Sequence, residues 1–342
     1  MLTFISDIHI GCNRTGGTTP ATAYQLRLDL LSQFEELLSK IDTDLCVGGD
    51  LFDGPDISKQ DLLRTYMILR DWLWRKPGRE LYLMNGNHDL SKNSTNFSSF
   101  QFLAGLLSRE SSEVHHITEP TMTPHGYMIP HVANQDLFNL ALAGVPECAY
   151  LFVHCNYDNK FAVESDHSLN MSEEQAKASL ARHIIFAHEH KARRALAGKV
   201  LVVGNQFPSS VSDCLDIVFK RMLVIEDGVP SFEETWQAEG DYAEQDWRDL
   251  KDTGRFIRVT GTATAAEAAQ VVTTISRFRA TAQALVITNA VKVEGLNDND
   301  ALELSAEEIT SYNVLAALTP LLTDDENKKI VILLEKNNAS AN

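Results

Sequence analysis

Cysteine is scarce in this 342-residue chain, and what there is does not pair. Cys12, Cys46, Cys148, Cys155 and Cys214 are odd in number and scattered, with no Cys-x-x-Cys motif. That pattern argues against a disulfide framework and a thiolate-held structural zinc, and leaves reduced thiols. Basic charge is also short: 30 Lys and Arg stand against 47 Asp and Glu, a net charge of -17. Phosphate neutralisation by Lys and Arg supplies most non-specific nucleic-acid affinity, so the balance argues against a stand-alone DNA-binding module. It does not exclude a metal-dependent nuclease, because carboxylates that hold cations add to the same excess. No apolar run approaches the roughly 20 residues that span a bilayer. Asp7 lies inside the first apolar run and no basic stretch precedes it. A signal peptide is therefore not expected, and the expected location is the cytoplasm, with no membrane partner. Internal repeats and low-complexity tracts are absent too.

What is present is ordinary globular composition, 44% apolar and 23% charged, long enough for two domains. Over 1–226, short apolar runs alternate with amphipathic helices, the sign of a layered α/β fold. Residues 2–5, 45–47, 80–84, 150–153 and 184–186 read as strands, and Leu30, Phe34, Leu37, Leu38 and Ile41 recur at helical spacing. The helical pattern returns over 62–74, and Ser172 to Gln175 opens another helix as a capping box. Residues 227–254 are acidic and aperiodic and read as a linker. Residues 255–342 read as a small α+β domain, with strands at 256–259 and 284–288 and helices at 265–278 and 305–318. Pro320 stops the last helix, and a final apolar run covers 330–334.

Every strongly polar cluster follows the end of an expected strand, where loops of an open α/β sheet converge. The clusters are Asp7-Ile8-His9, Gly49-Asp50-Leu51-Phe52-Asp53, Gly86-Asn87-His88-Asp89, His154 and His188-Glu189-His190. Each alone has a bland reading, as a turn, a solvated strand edge or a partly buried histidine. Five in this order, each ending a strand, point to one site. Carboxylate, imidazole and amide oxygen suit manganese, iron or zinc, and a pair of divalent cations needs a bridging carboxylate. Asp50, in a glycine-flanked turn, is placed to bridge.

The order DxH, GDxxD, GNHD, H, HxH resembles the calcineurin-like metallophosphoesterase superfamily over residues 1 to about 226. The resemblance implies a four-layer αββα sandwich, with 255–342 as the smaller C-terminal α+β capping domain. It implies two divalent ions, Mn2+ first, with Mg2+, Fe2+ or Zn2+ as alternatives. One is held by Asp7, His9, Asp50 and His190, the other by Asp50, Asn87, His154 and His188. The catalytic histidine maps onto His88, with Asp53 as its orienting carboxylate and Asp89 behind them. Ala187 stands where the family usually has Gly. His115, His116, His125, His131, His167 and His183 match no ligand position.

Within the superfamily, Ser6-Asp-Ile-His-Ile-Gly11, Val47-Gly-Gly-Asp-Leu-Phe-Asp53 and the stretch from Gly204 to Asp213 resemble SbcD and, more loosely, Mre-type nucleases. Superfamily protein phosphatases usually carry a phosphate-holding Arg after the second Asp; here Gly54 stands there. The resemblance implies an exo- and endonuclease acting on DNA in repair, recombination or processing. It also implies an SMC-like ATPase partner and a homodimer; the apolar runs 314–322 and 330–334 are candidates for docking that partner, the alternative being that they close the small domain's own core. A small-molecule or cyclic-nucleotide phosphodiesterase or phosphatase would use the same metal core.

Overall fold

The computed structural model describes residues 1–12, 16–91, 96–159 and 168–294. The expected helix at 305–318, Pro320, the runs 314–322 and 330–334, and His167 lie outside the described residues.

The chain opens with β1 (Leu2–Ile5), α1 (Pro20–Lys40), β2 (Asp44–Val47), α2 (Lys59–Arg75), β3 (Leu81–Met84), α3 (Ser99–Glu110) and β4 (Val114–Ile117). It continues with β5 (Thr121–Thr123), β6 (Gly126–Ile129), α4 (Gln135–Ala143), β7 (Cys148–His154), β8 (Asn156–Tyr157), β9 (Asn170–Met171), α5 (Glu173–Ala178) and β10 (Ala181–Ala187). Then come β11 (Arg193–Ala195), β12 (Val200–Val202), β13 (Phe219–Glu226), β14 (Val229–Gln237), β15 (Tyr242–Asp246), β16 (Phe256–Thr260), β17 (Thr262–Ala263), α6 (Ala268–Thr281) and β18 (Val286–Asn289).

Two six-stranded sheets stack, in the orders β14-β13-β1-β2-β3-β4 and β11-β12-β10-β7-β6-β5. Strands β1 to β4 are parallel, as are β6, β7, β10 and β12. Period-two alternation divides each strand between two cores. On β7, Tyr150 and Phe152 enter the core between the sheets, while Leu151 and Val153 face the outer core with Phe138 of α4 and Ala176 of α5. On β1, Leu2 and Phe4 face the other sheet, and Ile5 meets the helices, with Leu30, Phe34 and Trp72. Phe4 stacks on Phe152 at 5.5 Å, and burying each such ring contributes roughly 1.5–3 kcal/mol. The expected αββα layering follows directly from this alternation. The capping box expected at Ser172 is present, its hydroxyl accepting from Gln175 N at 3.2 Å. Among the described residues no helix is long and apolar enough to cross a membrane.

The linker expected over 227–254 is instead structured. Asp227-Gly228 turns the β13–β14 hairpin, both residues with positive φ (49° and 75°), and β14 is an edge strand of the first sheet. The register shifts between Lys220 and Arg221, skipping Thr235, and Glu233 and Glu234 are both exposed, which hides the alternation that marks a strand. Residue 255 does not begin a separate domain either, since one compact unit covers Met1–Lys292. Phe256, Leu285 and Val286 join the core beneath α1 to α3, and Ile287 N donates to Gly17 O at 2.7 Å. The charged Arg255 reaches Asp29 Oδ2 at 2.5 Å. A local pattern of strand, helix and strand carries no sign of which larger core it docks on.

Candidate metal centre

Three loops of the first sheet and two of the second meet where their strands end. Their backbone is held in unusual conformations. Asp7, His9, Asp50 and His188 have positive φ, at 55°, 53°, 50° and 81°. Asp and His reach this region more readily than most residues, yet each such residue costs about 1–3 kcal/mol unless its surroundings dictate it. Here they do. Asp7 N donates to Gly49 O at 3.0 Å, His9 N to Asp50 O at 3.1 Å, and His188 N to the Asp7 carboxylate at 3.0 Å. Gly86 is required by close approach, because a Cβ there would collide with the Asp50 carboxylate and amide.

The structure brings Asp7, His9, Asp50, Asn87, His154, His188 and His190 together. Ligand-type atoms of Asp7, His9 and His190 all lie within 4.8 Å of one another, as do those of Asp50, His154 and His188. Asn87 Oδ1 stands 3.0 Å from His154 Nε2 and 2.9 Å from His188 Nδ1. The donor chemistry fits a cation on three counts. First, His190 Nδ1 faces the Asp213 carboxylate at 2.7 Å and His9 Nδ1 faces that of Asp53 at 3.1 Å. The Asp213 carboxylate places the hydrogen on His190 Nδ1, so in the neutral ring its Nε2 presents a lone pair, 3.0 Å from His9 Nε2. Second, His154 donates Nδ1 to Gly48 O at 2.9 Å, which likewise turns Nε2 toward the acceptor Asn87 Oδ1. Third, Asp7 Oδ1 is buried without a hydrogen-bond partner, a costly state that a cation relieves. No thiolate competes, because burial pushes the thiols of Cys46, Cys155 and Cys214 up.

Charge is concentrated here. Burial drives the Asp50 carboxyl upward, but the imidazoles of His154, His9 and His88 outweigh it and hold the group well below its ordinary range. Burial pulls His154 down, and Asp50 more than offsets this, raising it to about 9. The proton shared by that pair is one a cation displaces, so cation binding and proton release are coupled. Asp89 is fully buried. Desolvation, then the Asp50 charge, raise it to about 7, against the pull of the Phe52 and Gly86 amides it accepts from at 3.1 and 2.9 Å.

His88 donates its backbone N–H to Asp50 Oδ1 at 2.9 Å, and its ring stands edge-on to His9 with centroids 5.0 Å apart. His88 Nδ1 meets the Asp53 backbone carbonyl at 2.9 Å, and the Asp53 carboxylate, 3.1 Å from His9 Nδ1, forms a group with His9 and His88 whose ligand-type atoms all lie within 4.8 Å of one another. The cause is the bridge between Ile10 and Phe52, with Asp53 N on Ile10 O at 3.0 Å, which lays the 50–53 loop along the 7–10 loop.

Four residues without an expected role also belong here. Asp213 holds His190 and accepts the Ser209 and Ser210 amides at 2.8 and 3.0 Å. Gln206 Oε1 accepts Ser6 N at 2.6 Å. Asn85 O accepts His131 N at 2.9 Å, and the His131 ring stands edge-on to His154. Only the Ser-Ser-x-Ser-Asp stretch offered a local signal, since Asp213 sits where serines can cap it. Asp213→Asn is expected to weaken divalent-cation affinity about 10–100-fold, as losses of a ligand's orienting partner do. The midpoint of a metal titration of phosphoester hydrolysis measures this, and a wild-type midpoint would refute it. His125 and His115 pair instead with Asp44 and Glu80, and His183 stacks on Tyr150.

Residues 1–192 match the family model described as calcineurin-like phosphoesterase. No curated protein sequence matches the chain. Among solved structures, the chain is similar to a cold-active protein-tyrosine phosphatase of a psychrophilic Shewanella sp., at 13% identity and a TM-score of 0.34, over 68% of this chain and 79% of that one. It is also similar to a metallophosphoesterase from Sphaerobacter thermophilus, at 14% identity and a TM-score of 0.28, over 68% and 87%. With more than half its length matched and clustered His and Asp donors at its strand ends, this chain belongs to the calcineurin-like phosphoesterase family, hydrolases of phosphoester bonds that use divalent metals.

Proposed function

We propose that the chain is an SbcD-like DNA nuclease hydrolysing phosphodiester bonds. The observation that carries this reading is the segment from Gly204 to Asp213. It resembles the SbcD segment at the same point of the chain, and here it buttresses the centre through Gln206 on Ser6 and Asp213 on His190. Gly54 supports it: a Cβ there meets nothing within 4 Å. Packing does not forbid the phosphate-holding Arg of superfamily protein phosphatases at this position, yet the chain has none.

Asp7, His9, Asp50 and His190 would hold one divalent ion, and Asp50, Asn87, His154 and His188 a second, Mn2+ first among the candidates. When bound, such ions neutralise phosphate charge and make water a nucleophile near neutral pH. The chain's own part is orientation and proton transfer. His88 Nδ1 donates to the Asp53 carbonyl, which can only accept, so Nε2 is the atom free for chemistry. The imidazolium form of His88 gives that proton to the departing sugar oxygen, and no covalent enzyme intermediate is needed.

A homodimer and an SMC-like ATPase are proposed as partners. The ATPase would supply the basic DNA surface that a net charge of -17 withholds. Plasmid and hairpin DNA should be cleaved with manganese, and bis-p-nitrophenyl phosphate alongside them. Turnover of the small ester alone, at any loading of protein or ATPase, would leave a small-molecule phosphodiesterase in its place. Light scattering of the same preparation reads the dimer, and a one-chain mass removes it.

A further inference from the structure

Most arginines with a side-chain partner here meet a carboxylate: Arg27 meets Asp61, Arg193 meets Glu189 and Arg255 meets Asp241. Arg194 and Arg221 do not. Among the described residues neither guanidinium has a carboxylate partner, and Arg221 Nε is buried with no hydrogen-bond partner. Both instead lie over one ring, that of Phe232, at 5.0 Å and 4.1 Å from its centroid. Phe232 packs against the core between the sheets, so the platform is anchored. In so acidic a chain, two cations sharing a ring without a counter-charge are an unusual juxtaposition. Burial, and then the Arg194 charge, pull the Arg221 guanidinium down, a repulsion that a bound anion would relieve.

Topology sets the pair beside the metal centre. β11 and β14 are the edge strands of the two sheets, and Phe232 on β14 joins Arg194 on β11 to Arg221 on β13. Antiparallel pairing of Phe4 with Leu223 carries Arg221 toward the end of β1 from which Asp7 departs. Gln206 links them, its Oε1 on Ser6 N at 2.6 Å and its Nε2 on Arg221 O at 3.2 Å. Arg194 follows His190 by four residues.

Resting on the nuclease reading, we propose that Arg194 and Arg221, braced on Phe232, bind backbone phosphates of the nucleic-acid strand next to the scissile bond. Planar guanidinium forks match phosphate oxygens in pairs, and Arg is weakly hydrated enough to give up water for them. Each phosphate neutralised contributes about 0.7–0.9 to the slope of log affinity against log salt.

The test measures hairpin-DNA affinity from about 50 to about 200 mM salt, and KM and kcat for its cleavage, with the full metal-loaded chain. Arg194→Ala should flatten the slope by about 1 and the double variant with Arg221→Ala by about 2. KM should rise severalfold with kcat kept. Arg194→Lys should restore the slope, because it restores the charge. Since Arg194 is exposed, its single variant decides the matter even if the double variant fails to fold. A wild-type slope and KM in Arg194→Ala overturn the proposal while the nuclease reading stands. Loss of co-purifying ATPase with an unchanged DNA slope overturns it too, in favour of a protein interface. A wild-type chain that neither binds nor cleaves DNA brings down both.

Discussion

Asp50→Asn is expected to abolish hydrolysis and to strip the centre of its cations. Asp50 is almost fully buried; one carboxylate oxygen accepts the His88 amide and the other lies 3.4 Å from His154 Nε2. The carboxylate is also what draws positive charge toward His154, against the cost of burial. Asparagine keeps the shape and tolerates positive φ, so the loops should still close and the thermal transition should stay cooperative. What disappears is a full negative charge that acts on His154, His9 and His88 together. Removing one partner of a buried charge pair costs about 3–5 kcal/mol. At about 1.4 kcal/mol per tenfold, cation affinity should fall at least about 100-fold. Elemental analysis of the desalted variant beside wild type measures this. Equal metal content would mean that Asp50 does not bridge.

His88→Ala should separate chemistry from cation binding. The contact of His88 with Asp50 runs through its backbone N–H, which alanine retains, so metal content should stay at the wild-type level. The rate should fall about 100- to 10,000-fold, the span expected for loss of a positioned proton donor. The deficit should depend on the leaving group. A sugar oxygen leaves poorly without a proton, whereas nitrophenolate leaves without one, so the loss should be larger on DNA than on bis-p-nitrophenyl phosphate. Equal deficits on both substrates would show that His88 positions the phosphate rather than donating a proton.

The place of the centre was legible because its signals are local. A strand of two to seven apolar residues followed by Asp, Asn or His reads the same in the chain as in the fold. Short apolar runs alternating with amphipathic helices likewise marked a layered α/β fold, and the family resemblance implied its two sheets. Asp7, His9, Asp50, Asn87, His154, His188 and His190 each sit where a strand gives way to a loop, and parallel strands bring such ends to one side of a sheet. Segment 227–254 failed the same test because a bulge and an edge position scrambled its alternation.

The sequence alone therefore determined which residue types end which strands, and with them the donor chemistry. Only the tertiary structure decided what those donors lean on: the Asp53 carboxylate beside His9 and its carbonyl on His88, Asp213 behind His190, Arg194 and Arg221 over a common ring. Alternation and turn residues are written into neighbouring positions of the chain. Such partnerships depend instead on strand register and on how one sheet edge meets another, which arise only when separate segments of the chain pack together.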